Sequence, residues 1–103
     1  MSISLMPSMG DIFVLKSSVY FPYDVKTNAM RTDEGSCMKK GDIVMIVSDA
    51  PQPHPANQQN SMFSSYKFTV YAKGLFVSVY ICVAKDIKYE FPPYNTWEFV
   101  ASV

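Results

Sequence analysis

The segment SYKFTVYAKGLFVSVYICV, Ser65 to Val83, decides the fold. Its first half alternates, with Tyr66, Phe68, Val70 and Ala72 on one face and Lys67, Thr69 and Tyr71 on the other. Lys73-Gly74 interrupts it, and alternation resumes with Leu75, Val77, Val79, Ile81 and Val83 against Phe76, Ser78, Tyr80 and Cys82. Period-two patterning is the mark of a strand with one buried face. A turn of two residues at Lys73-Gly74 pairs Ala72 with Leu75, Val70 with Val77, Phe68 with Val79 and Tyr66 with Ile81. The apolar sets then share one face with no slip, which is what register demands. Gly74 supplies the positive φ that such a turn needs.

Two more strands precede the hairpin. Asp11 to Ser17 places Ile12 and Val14 on one face and Phe13 and Leu15 on the other. Asp42 to Ser48 is nearly all apolar, which predicts a strand covered on both sides. Gly10-Asp11 and Gly41-Asp42 punctuate the two starts. A last short strand is expected over Asn95 to Val100, and Ile3 and Leu5 suggest another at the N-terminus. Ser18 to Lys40 reads as either a projecting hairpin or a short helix. Ala50 to Ser61 holds three prolines and no core residue, so it is an exposed, partly extended loop. Pro92-Pro93 forces an irregular path between Lys85 and Tyr94.

The chain has 103 residues, one domain's worth, with a core from about residue 10 to 100. That length buries a core without help from disulfides or metals. Aromatic residues make up 15% and charged residues only 17%, a balance that favours strands over amphipathic helices. The expected fold class is mainly β, a single barrel or β-roll of five to six strands.

The order strand, long loop, strand, loop, tight hairpin, irregular turn, final strand resembles the SH3-like small barrel. The segment MKKGDIVMIV, Met38 to Val47, is similar to the entry into the second strand of SH3 and KOW-type barrels. The chain lacks the Ala-Leu-Tyr-Asp-Tyr segment, the paired tryptophans and the Pro-x-x-Tyr turn of true SH3 domains, so proline-peptide recognition does not carry over.

Charge and motif content narrow the function. Nine basic and nine acidic residues give zero net charge, and the only adjacent basic pair is Lys39-Lys40. This disfavours nucleic acid, whose partners carry a basic stripe. Near-neutrality also removes self-repulsion and favours a homo-oligomer. The start has no basic, then apolar, leader, and the longest apolar run, Val79 to Ala84, is too short to span a bilayer. No membrane role is expected, and the chain reads as cytoplasmic, in the host cytoplasm if viral. One histidine, His54, and two distant cysteines, Cys37 and Cys82, make neither a metal site nor a disulfide framework. Cys82 reads as a buried, inert thiol within an apolar strand. With no phosphate-binding loop, no paired carboxylates and no evident nucleophile–base pair, the expectation is no enzyme and no cofactor.

The positive signal is aromatic. Tyr20, Phe21 and Tyr23 cluster in the long loop, and Tyr89, Pro93, Tyr94 and Trp97 cluster before and within the last strand. In an SH3-like barrel these regions lie side by side, so the clusters either form one protein-binding groove or plug the barrel ends. Tyr71, Phe76 and Tyr80 on the hairpin's second face form a further contact patch if that face is exposed. The leading expectation is a non-catalytic module that binds another protein. Its brevity resembles small accessory proteins of bacteriophages, including inhibitors of host factors. The alternatives are a structural assembly subunit of virion or tail type, and a KOW-like nucleic-acid or ribonucleoprotein module.

Overall fold

A computed structural model describes residues 6–48, 51–57, 63–84 and 95–103. The expected N-terminal strand at Ile3 and Leu5 and the Pro92-Pro93 turn lie outside these residues. Eight strands follow in order: β1 (Asp11–Leu15), β2 (Val19–Tyr20), β3 (Met38–Lys39), β4 (Ile43–Ile46), β5 (Gln52–Pro53), β6 (Phe63–Ala72), β7 (Leu75–Ala84) and β8 (Trp97–Ser102). No helix occurs among the described residues, and the mainly β class read from composition is what forms.

The hairpin adopts the register that its alternation dictates. Ala72 faces Leu75, Val70 faces Val77, Phe68 faces Val79 and Tyr66 faces Ile81. Lys73 and Gly74 have φ of 53° and 78°, the doubly left-handed turn whose twist matches that of the strands. A Cβ on Gly74 would meet no atom within 4 Å, so the cost of a side chain there is backbone strain alone. Gly74→Ala is therefore expected to lose about 1 kcal/mol. A thermal melt should show a midpoint roughly 5 °C lower.

The remaining strands extend the hairpin into one antiparallel sheet. β4 pairs with β6, β1 with β4, and β8 with β1, giving the order β7-β6-β4-β1-β8. β5 joins β6 beyond the end of β4. Pro53 fits there because β5 is an outermost strand, where a missing N–H costs no ladder bond. β8 carries one extra residue opposite β1, since Ile12 pairs with Ala101 but Phe13 with Phe99. Such a bulge bends and twists the strand.

The long connection from Ser18 to Lys40 resolves as a ribbon and not a helix. β2 pairs with β3, and Tyr23 bridges Met30 nearer the tip. Asp24 holds the tip by accepting from the backbone N–H groups of Lys26 and Thr27, and these bonds lower its pKa.

Phe13, Leu15, Val44, Ile46, Phe68, Val70, Val77, Val79, Ile81 and Trp97 form the core, with Met38 plugging it from the ribbon. The expectation that the strand at 42–48 is covered on both sides is wrong. Val44 and Ile46 are buried, but Ile43 is 58% exposed and Met45 is half-buried. An apolar run reads as doubly buried only if something packs on its second face. Here no described element does.

Candidate functional site

Residues of β6 with odd numbers and residues of β7 with even numbers point away from the core. Toward the open end of the hairpin this second face is partly walled, and an open cleft of about 410 Å³ results. Its floor comes from Ser65, Tyr80 and Cys82, its walls from Tyr20, Tyr23 and His54, and one end from Asn95 and Thr96.

The walls are held by hydrogen bonds to the outer edge of β7. Tyr23 and Ser78 exchange backbone bonds, both of 2.8 Å. The Tyr80 N–H donates to the Tyr20 hydroxyl oxygen at 3.0 Å. The Cys82 N–H donates to Asn95 Oδ1 at 3.4 Å, while Asn95 Nδ2 donates to the Cys82 carbonyl at 2.9 Å. Three alternate N–H groups of one strand edge are thus met by three different groups. An unpaired edge would cost hydrogen bonds and invite a stray strand, so these contacts stabilise the seam and fix the cleft together.

The outer edge of β6 is treated likewise at the same rung. Asn57 Nδ2 donates to the Ser65 carbonyl at 2.9 Å, and the Ser65 N–H donates to Asn57 Oδ1 at 3.0 Å. Ser65 and Cys82 are cross-strand partners, so two asparagine amides continue one rung of the ladder on both sides. The His54 N–H also donates to the Ser65 carbonyl, which seats the imidazole against the hairpin.

The rings pack edge to face. Tyr23 and His54 both stand steeply to Tyr80, at centroid distances of 5.2 and 4.9 Å. Behind them Tyr20 stands at 68° to Trp97, at 5.1 Å. These are the favoured offsets of aromatic quadrupoles. Trp97 is 1% exposed, and among the described residues its Nε1 has no hydrogen-bond partner.

Burial raises the Tyr20 hydroxyl pKa to about 12, against a partial lowering by its bond from Tyr80. A phenol whose pKa is higher folded than unfolded gives stability that is complete below pH 10 and lost as pH rises toward 12. Urea unfolding between pH 8.5 and 11.5 is therefore expected to cost wild type up to about 2 kcal/mol more than Tyr20→Phe. Equal losses in the two proteins would show that Tyr20 ionises without penalty.

The described lining residues carry no carboxylate, ammonium or guanidinium group. Among the described residues no cluster of three or more His, Cys, Asp or Glu is placed to hold a metal. His54 and Cys82, read as unrelated, line the same cleft with Asn95, a residue set that suggests thiol chemistry. Two contacts argue against that chemistry. His54 Nδ1 accepts the Ala56 N–H at 2.9 Å, so the neutral ring carries its proton on Nε2. The Asn95 amide is committed to the Cys82 backbone and the Trp97 N–H, not to the imidazole.

Of the sequence candidates, Tyr20 and Tyr23 line the cleft, and Trp97 supports it from the core. Phe21 is half-buried on the ribbon outside the lining. Tyr89, Pro93 and Tyr94 lie outside the described residues. Cys82 is half-buried at the cleft and not a core thiol, because its even number places it on the second face of β7. Sequence reasoning passed over Ser65, Asn95 and Thr96 as site residues, and weighed His54 only as a catalyst or ligand. Tyr80 was read with Tyr71 and Phe76 as an outward contact patch, and of these three it alone lines the cleft.

Compared with family models, curated proteins and solved structures, the chain finds no match in any of the three.

Proposed function

We propose that this chain is a non-catalytic protein-binding module that takes an uncharged aromatic or aliphatic side chain of its partner into the Tyr20–Tyr23–His54–Tyr80 cleft. One observation carries the reading: an open cleft of about 410 Å³ lined by four rings, with no charged group among its described lining residues. Tyrosine offers large contact area at small entropic cost and recurs at binding hot spots. The polar groups of Ser65, Thr96 and Asn95 at the rim suit a peptide backbone or a neutral polar atom.

The strand order β7-β6-β4-β1-β8, with a ribbon projecting after the first strand, supports assigning the domain to the SH3-like barrels. In that arrangement the cleft lies between the ribbon and the segment before the last strand. The module needs no cofactor. We place its action in the cytoplasm, in keeping with Cys37 and Cys82 forming no disulfide. A small accessory protein that occupies a surface of a host factor is one form such a module takes.

Affinity capture from source-cell lysate, with nuclease present, tests the reading. A single dominant protein partner is expected. Recovery of partners only when nuclease is omitted would overturn it in favour of a nucleic-acid role.

A further inference from the structure

We propose that the cleft selects, among uncharged groups, one that carries a carbonyl oxygen, and that the Tyr20 hydroxyl and the His54 Nε2–H are the donors that read it. This rests on the cleft being the binding site and adds the chemistry of what enters it.

The selection follows from which polar atoms of the lining are already taken. The one side-chain carbonyl of the described lining is filled, since Asn95 Oδ1 accepts from the Cys82 and Trp97 N–H groups at 3.4 Å each. The Cys82 carbonyl accepts from Asn95 Nδ2 at 2.9 Å. The Ser65 carbonyl takes two donors, Asn57 Nδ2 and the His54 N–H, both at 2.9 Å.

Two lining groups are left the other way round. The Tyr20 hydroxyl oxygen accepts the Tyr80 N–H at 3.0 Å, and its own proton meets no acceptor among the described residues. His54 Nδ1 accepts the Ala56 N–H at 2.9 Å, so the proton of the neutral ring sits on Nε2. That proton also meets no acceptor among the described residues. Each group is thereby fixed as a donor, because a backbone N–H already occupies its accepting atom. The hydroxyls of Tyr23, Tyr80, Ser65 and Thr96 turn to donate or to accept and set no preference. Burial holds the proton on Tyr20 up to about pH 12, so it donates throughout the neutral range.

The cleft is open, so solvent serves both donors until something enters. A purely apolar group, or one that brings only an N–H, expels that solvent and strands them. A carbonyl oxygen has two lone pairs and no proton, and meets them without conflict. No described lining residue is a cation, so a carboxylate would be desolvated without a counter-charge and a neutral carbonyl is favoured. A partner segment supplies one as the main-chain carbonyl beside the side chain it inserts.

Amide chemical-shift titration of the isotope-labelled protein with acetophenone and, separately, with indole tests this. The probes are similar in size, but acetophenone brings only an acceptor and indole only a donor N–H. Acetophenone is expected to bind with a dissociation constant on the order of 1 mM, about tenfold tighter than indole. It should also move the Tyr80 amide proton downfield, because a hydroxyl that donates becomes a better acceptor. Tyr20→Phe should loosen acetophenone about tenfold and change indole by less than about twofold. A dispersed amide spectrum establishes that the variant is folded, and the comparison on wild type stands without it. Equal affinities at the cleft, or tighter indole, overturn the proposal and leave the cleft a binding site. A preference that survives Tyr20→Phe in full also overturns it. If neither probe moves the amides of Tyr23, His54, Tyr80 and Asn95, the cleft itself fails as a binding site and the proposal falls with it.

Discussion

Trp97→Ala is expected to destabilise the domain by about 3–5 kcal/mol, a large part of what a domain of this size possesses. The indole is 1% exposed, starts β8 opposite Leu15, and backs the Tyr20 ring at 5.1 Å. Its removal opens a cavity that β8, held to β1 by backbone bonds, cannot fully close. Trp97→Phe should cost less. It keeps a ring against Tyr20 and deletes an N–H that has no partner among the described residues, whose burial itself costs about 1–3 kcal/mol. Urea unfolding followed by far-UV circular dichroism measures both, since the chain holds one tryptophan and its fluorescence disappears with it. A loss under about 1 kcal/mol for Trp97→Ala would show that the core around the start of β8 collapses into the space the indole leaves.

Tyr80→Ala is expected to weaken partner binding about 30- to 100-fold, or 2–3 kcal/mol, with a smaller effect on stability. Its ring is the one against which both Tyr23 and His54 stand, so its loss removes a contact surface and the support of two others. Its backbone N–H still reaches Tyr20, so the edge of β7 stays paired. Calorimetric titration of the captured partner measures the change. An unchanged affinity with an intact fold would remove the cleft from the binding surface.

The hairpin was legible residue by residue because every signal in it agrees: alternation on both strands, one glycine with positive φ, and apolar sets that match at one register only. The outward face of β4 was not. Ile43 and Met45 look like core in sequence, and only the absence of a described layer above them reveals otherwise. The three tyrosines of the cleft were legible, since aromatic clustering picked out Tyr20 and Tyr23 and alternation put Tyr80 on the outward face. The rest of the cleft depends on tertiary placement. Asn57 and Asn95 are ordinary loop residues in sequence, yet each continues a β-ladder with its side-chain amide. Trp97 was read with the binding aromatics because sequence alone does not separate a ring that lines a groove from one that holds it up.

Whether the partner enters the tyrosine cleft is decided by chemical-shift mapping of the isotope-labelled protein with its captured partner. The amides of Tyr23, His54, Tyr80 and Asn95 are expected to shift together on titration, while those of Met45, Tyr71 and Phe76 stay in place. Shifts confined to the Met45–Phe76 row, or to Lys39, Lys40 and Lys73 around the ribbon base, would contradict it.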